Sequence, residues 1–145
     1  MDINTDIAIV GAGPSGCMAA NILLDAGMKV LLIDKSNFPR HKSCAGGLTP
    51  KTLSELPFDV GHLSQHNSKK MLFQFTNGKT VDLNNELGAC KMVVREDFDN
   101  YFFNFVKQKG ADFLNSKVVD IYEDKDEIKI KTNHSIVKSK YLIGG

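Results

Sequence analysis

Gly11-Ala12-Gly13-Pro14-Ser15-Gly16 sits between the apolar run Ile7-Ala8-Ile9-Val10 and a helix-like segment, and Asp34 closes a second apolar run, Val30-Leu31-Leu32-Ile33. A GxGxxG alone is weak, because small residues are common in turns. Here both flanks carry what the motif requires, a strand before it and a helix after it. Gly11 suits the tight turn out of the strand, Gly13 a close backbone approach to a pyrophosphate, and Gly16 close packing of the helix on the sheet. The N–H groups at the helix start then face the phosphates, where the positive end of the helix dipole favours an anion. Pro14 fits the first helical turn, which has no partner for the N–H it lacks. Ser15 either adds a hydroxyl to the phosphate cradle or is an exposed first-turn residue. Asp34, at the tip of the second strand, is placed to accept both hydroxyl hydrogens of an adenosine ribose and to repel a 2′-phosphate; taken alone it reads as the start of a turn. Together these residues predict a βαβ unit with a right-handed crossover that binds a dinucleotide.

A chain of 145 residues is long enough for one compact core, and residues 1–145 read as a single domain. The net charge of +1 supplies no field to hold nucleic acid or an anionic membrane. Its Lys-rich tract, Lys125 to Lys140, is interleaved with apolar residues, as in strands with one solvated face. Met1-Asp2-Ile3-Asn4-Thr5-Asp6 carries acids where a secretory leader is basic, so the apolar stretch after it reads as a strand. No apolar run is long enough to span a bilayer. Cys17, Cys44 and Cys90 are widely spaced without a CxxC, which fits neither a zinc site nor a disulfide framework and points to a reducing cytoplasm. His62, His66 and His134 lack metal-binding or catalytic spacing, so no metal is expected.

Outward from the glycine loop, the pattern predicts a buried parallel strand over Thr5 to Val10, a helix from Pro14 to Ala26 stopped by Gly27, and a strand over Val30 to Ile33. Gly16, Ala20 and Leu24 give the helix a narrow face for the sheet, and Cys17 belongs to that packing surface. Lys35 to Pro57 has no periodicity and reads as a functional loop, with Thr49 capping a short helix that has Pro50 first and runs through Leu53. Lys70 to Thr76 and Lys79 to Leu83 flank Asn77-Gly78, a hairpin turn. Met92-Val93-Val94 reads as a short strand and Arg95 to Lys109 as a helix with Phe98, Phe102 and Phe105 on one stripe, Val106 beside it, packing into the core. Ala111 to Leu114 follows as a third parallel strand. Lys117 to Glu123, Glu127 to Thr132 and Ser135 to Lys138 then form an alternating meander with turns at Asp124 to Asp126 and Asn133-His134, and Tyr141-Leu142-Ile143 returns to the main sheet.

The order of the glycine loop, Asp34, Phe38-Pro39-Arg40-x-Lys42, Cys44-Ala45-Gly46-Gly47-Leu48 and Arg95-x-x-Phe98-Asp99 resembles the geranylgeranyl reductase family of FAD-dependent oxidoreductases. The resemblance implies an α/β fold: a Rossmann-like FAD-binding domain with a parallel sheet, a crossover helix and an antiparallel β-meander. By position, Gly11, Gly13, Pro14, Ser15 and Gly16 look like the pyrophosphate loop, with Asp34 the ribose acceptor and Lys35 beside it in the cofactor-binding set. Arg40 would reach toward the adenosine side with a forked guanidinium, or is a solvated loop arginine. Arg95 looks like the family's arginine ahead of the long helix, near the cofactor, or is a first-turn helix residue. Cys44, Ala45 and Gly46, with Gly47, resemble the loop that borders the flavin ring, where small residues let backbone approach a flat ligand. Ala45 stands where the more usual pattern has glycine, so a positive φ there would be strained. Cys44 is either a modulator of the flavin, a redox partner for another cysteine, or a packed thiol.

The resemblance covers the whole chain but only the N-terminal portion of the family's longer architecture. Where the family continues into a Gly-Ala-Asp-Gly segment and a substrate sheet, this sequence has Gly144-Gly145 as its last residues, so the fold is expected to be incomplete relative to the family and inactive alone. The implied full-length activity is hydride transfer from reduced FAD to a lipid C=C bond, with a reduced nicotinamide (NAD(P)) or ferredoxin-type electron donor and peripheral membrane contact through the lipid substrate. Two alternatives remain from the residues: a flavin monooxygenase or halogenase, and a truncated, non-catalytic nucleotide-binding module. No catalytic acid, base or nucleophile is identified, as expected where the cofactor carries the chemistry.

Overall fold

The computed structural model describes residues 2–84, 88–124 and 127–145. In chain order the elements are β1 (Asp2–Val10), α1 (Pro14–Asp25), β2 (Val30–Asp34), β3 (Gly47–Leu48), α2 (Pro50–Glu55), β4 (Ser64–Ser68), β5 (Lys70–Gln74), β6 (Thr80–Asn84), β7 (Cys90–Val93), α3 (Arg95–Gln108), β8 (Asp112–Asn115), β9 (Val118–Asp124), β10 (Glu127–Thr132) and β11 (Ile136–Gly144). They form two compact units, residues 1–40 with 99–145, and residues 41–98.

The first unit is built on a six-stranded sheet in the order β8-β2-β1-β11-β10-β9. β1 lies at its centre, parallel to β2 and to β11, which is why Ile7, Ala8 and Ile9 are all buried where an alternating pattern would expose one of them. β8 adds in parallel to β2, while β10 runs antiparallel to both of its neighbours, β11 and β9. The crossover helix α1 starts with Pro14 at its first position and turns Gly16, Cys17, Ala20 and Asn21 inward, with Leu24 half-buried. Gly27 ends it at φ +75°: its N–H donates to the Leu24 carbonyl (3.0 Å) and Met28 N–H to that of Leu23 (3.0 Å), the paired bonds of a left-handed helix stop.

The expected separate strands Ser135 to Lys138 and Tyr141 to Ile143 are instead one strand, β11. β1 begins at Asp2, so it offers pairing partners along the whole of β11, from Asp2 opposite Ile136 to Val10 opposite Gly144. Asp2 and Asp6 also reach Lys138 and Lys140 (3.0 and 2.9 Å) across this seam. The aromatic stripe of α3 differs as well: Phe103 is buried with Phe102 and Val106, whereas Phe105 is half-buried. Phe103 stacks on Phe38 (centroids 4.4 Å apart) and meets Phe113 edge-on (4.7 Å), so the helix buries a face broader than one stripe. Lys125 and Asp126, in the turn expected after β9, lie outside the described residues.

In the second unit β7 is central between β3 and β4, and β5 and β6 form a separate hairpin closed by Asn77-Gly78. Thr49 caps α2 as its sequence suggests, its Oγ1 accepting from Thr52 N–H (3.2 Å). β4, Ser64-Gln65-His66-Asn67-Ser68, has no apolar alternation by which to read it as a strand; it exists as a partner for β7.

Candidate cofactor site

The first unit places the glycine loop at the C-terminal end of β1, beside the ends of β2 and β8. Gly11 has φ +108° and donates its N–H to the Ile33 carbonyl (2.8 Å), which anchors the turn to the end of β2. A Cβ on Gly16 would run into the Gly11 carbonyl oxygen, so the loop and helix can approach this closely only with glycine there. Gly13 is the residue before the helix. Its φ of −74° is open to any residue, and it offers no side-chain oxygen to the first-turn N–H groups, which leaves that helix end suited to an anion. Pro14 occupies the first turn and Ser15 is exposed there.

Asp34 does more than its sequence position suggested. Its Oδ2 accepts from Ala12 N–H (2.9 Å) and its Oδ1 from Ser36 N–H (2.8 Å), tying the middle of the glycine loop to the end of β2. A carboxylate has about four lone-pair sites, so two remain that can accept ribose hydroxyls. Beside it lies a cavity of about 350 Å³ whose walls include Gly11, Asp34, Lys35, Ser116 and Lys117, of a size in the usual range for small-ligand sites. Ser116 was not singled out by sequence; its buried hydroxyl has no hydrogen-bond partner, while its N–H donates to the Asp34 carbonyl (2.9 Å).

Arg40 is not a solvated loop residue. Its Nη2 lies 3.2 Å from Oδ2 of Asp99, whose side chain is fully buried, and its guanidinium stands 5.2 Å from the centre of the Phe38 ring. The same Nη2 is 3.4 Å from where a Cβ on Gly13 would stand, which sets the cation against the glycine loop. The sequence gives Asp99 no role beyond its place in Arg95-x-x-Phe98-Asp99. The available signal was its spacing: Asp99, Phe103 and Val106 fall on one helical face, and a carboxylate among buried apolar residues requires a partner.

Cys17 packs under this loop, its thiol donating to the Ala12 carbonyl (3.3 Å). Burial pushes the thiol up to about 12 from 9.0; Asp99 adds to the rise, Arg40 opposes it and Asp34 adds a smaller increment. The folded thiol therefore keeps its proton where the unfolded one loses it, and stability falls as pH climbs from 9.0 toward about 12. At neutral pH, alkylation of the native protein is expected to modify exposed Cys44 first and to spare Cys17 until denaturant is added, as mass spectrometry of the labelled peptides would show.

The second unit holds Cys44, Ala45, Gly46 and Arg95. Gly46 carries the positive φ (+73°) and bonds through its carbonyl to Val93 N–H (2.9 Å), and a Cβ there would strike the Val93 carbonyl oxygen. No non-glycine residue among those described has a positive φ, so Ala45 sits without the strain considered for it. The Gly46 N–H points at the exposed Cys44 sulfur (3.4 Å), and Arg95, two residues beyond Val93, opens α3 half-buried. Among the described residues no cluster of His, Cys, Asp or Glu could hold a metal ion, and no helix is long and apolar enough to cross a membrane.

A parallel βαβ unit whose glycine loop is tied to an acid at the end of its second strand, with an uncapped helix start facing that loop, defines a dinucleotide-binding domain of the Rossmann type. The profile of the FAD binding domain family matches residues 4–145, and the chain belongs to that family. It is 34% identical over 140 residues to the uncharacterized protein Mbar_A1602 of Methanosarcina barkeri, covering 96% of this chain and 36% of that one. To the geranylgeranyl diphosphate reductase of Rhodobacter capsulatus it is 32% identical over 143 residues, covering 88% of this chain and 35% of that protein. Among solved structures, a geranylgeranyl bacteriochlorophyll reductase-like protein from Thermoplasma acidophilum superposes with a TM-score of 0.83 at 23% identity, over 100% of this chain and 40% of that one. The halogenase PltM in complex with phloroglucinol and FAD gives 0.78 at 19% identity, over 97% and 34%. These structures share the fold. The chain spans about a third of the length of the curated relatives named here.

The residues present fit FAD. Gly13 leaves the helix end open to a pyrophosphate, Arg40 sets a cation beside it, and Asp34 retains acceptors at the mouth of a cavity.

Proposed function

We propose that this chain is the FAD-binding domain of a reductase that saturates double bonds of isoprenoid or related lipids. The observation that carries the reading is the 32% identity to a geranylgeranyl diphosphate reductase across 88% of the chain. When bound, FAD supplies the hydride-transfer chemistry, and the chain supplies binding and orientation. Gly13, Ser15 and Gly16 offer backbone N–H groups to the pyrophosphate, Gly11 and Pro14 shape the loop that presents them, Asp34 accepts the ribose hydroxyls, Lys35 walls the same cavity, and Arg40 offsets phosphate charge. Cys44, Ala45, Gly46 and Arg95 are assigned as cofactor contacts on the family resemblance alone. In this reading the electron donor is a reduced nicotinamide or a ferredoxin-type protein, and the lipid substrate brings the protein to the membrane surface from the cytoplasm.

A halogenase or monooxygenase reading rests on sequence likeness to the flavin-dependent halogenase armH2 of Armillaria mellea, 28% identical over 81% of this chain, and on fold likeness at 19% identity to another halogenase; the likeness to the reductase is higher, at 32% over 88%. The protein carrying this domain, loaded with FAD and reduced without oxygen, is expected to convert a geranylgeranyl lipid to products that each gain a hydrogen pair per double bond, read by mass spectrometry. Recovery of hydroxylated or halogenated product in air, with no saturated lipid, would replace this reading with the other.

A further inference from the structure

We propose that Asp99 is a positioning residue for the cofactor site: its buried carboxylate holds the Arg40 guanidinium against Gly13, so that the fork is already aimed at a pyrophosphate before one arrives. The inference rests on the cofactor reading above and adds to it a residue on a different element, α3.

The pair is placed for this task. Arg40 Nη2 meets Asp99 Oδ2 at 3.2 Å, and the same nitrogen lies 3.4 Å from the space above the Gly13 backbone. Asp99 is fully buried, while the arginine side chain keeps 17% of its surface exposed. A guanidinium has five N–H donors, and one carboxylate engages at most a forked pair of them; the rest remain for a second anion. Phe38, stacked between Arg40 and Phe103, limits the swing of the side chain. A purely structural role is the competing explanation. It is the weaker one, because a buried ion pair adds little stability over well-packed apolar residues, and this one stands beside a helix end that no side chain caps.

If Asp99 acts through Arg40, its effect must vanish when Arg40 is gone. FAD affinity, measured by titration with flavin fluorescence, is expected to weaken about tenfold or more in Arg40→Ala, a charge-assisted hydrogen bond lost. In Asp99→Asn it should weaken about three- to tenfold, as the freed side chain must be ordered on binding. In the double variant the loss should equal that of Arg40→Ala alone. Equal affinity in Asp99→Asn and the unaltered chain overturns the proposal, as does a further loss in the double variant, which is the signature of a general structural effect. Should Asp99→Asn fail to fold by circular dichroism, Arg40→Lys decides: it keeps the charge facing Asp99 but loses the fork. Weakened FAD binding at an unchanged melting temperature is the expected result, and undiminished binding overturns the proposal. Absence of FAD binding by the unaltered chain defeats the cofactor reading itself, a different outcome from either.

Discussion

Gly16→Val is expected to destabilise the first unit by about 3 kcal/mol or more, at the upper end of what overpacking costs. A Cβ at this position collides with the Gly11 carbonyl oxygen and stands 3.4 Å from Ile9 Cγ2. Neither obstacle is the loose end of a side chain. Gly11 is fixed at φ +108° by its bond to the Ile33 carbonyl, and Ile9 is fully buried in the central strand. The helix would have to lift from the sheet, uncovering Cys17 and Ala20, both completely buried. Gly13→Ala gives the contrast. Its φ of −74° accepts any residue and its Cβ makes only ordinary contact with Arg40, so its urea midpoint should match that of the unaltered chain while FAD affinity falls. Urea denaturation followed by circular dichroism reads both variants. A Gly16→Val midpoint equal to that of Gly13→Ala would show that helix and loop are not packed as described.

Asp34→Ala is expected to lower both stability and FAD affinity, because the carboxylate has two tasks. Removing it leaves the N–H of Ala12, a residue with no exposed surface, without its acceptor, at a cost of about 1–3 kcal/mol. The Ser36 N–H loses its partner too but sits where water can replace it. FAD affinity should fall about tenfold or more, since the ribose acceptors go together with the anchor of the loop. Thermal melting without ligand separates the first loss from the second, which only a titration detects. A variant that melts earlier but binds FAD as before would confine Asp34 to its structural role.

These two positions also mark how far the residues could be read before the fold was known. The glycine loop and Asp34 were legible because their chemistry is local: a strand, a turn that needs glycine and a helix start follow one another in the chain, and the structure places them at the end of β1 and β2 as expected. That Asp34 already binds two backbone N–H groups was not legible, since Ala12 is brought to it only by parallel pairing of the strands. The same holds for β11. Its two halves look different in sequence, polar around Lys138, which pairs at a charged seam, and apolar around Leu142; only the early start of β1 joins them. A single aromatic stripe favours Phe105 over Phe103, but the helix packs a broader face, with Phe103 against Phe38 and Phe113. Arg40 and Asp99 lie far apart in the chain, and no local pattern announces their contact.

The claim on which the rest depends is that the loop from Gly11 to Gly16, with Asp34, holds the adenosine diphosphate half of FAD. Titrating the purified chain with FAD, followed by displacement with ADP, tests it most directly. Saturable quenching of flavin fluorescence, reversed by ADP and weakened in Asp34→Ala, is the predicted result. Flavin that fails to bind saturably, or that binds and is not displaced by ADP, would contradict it.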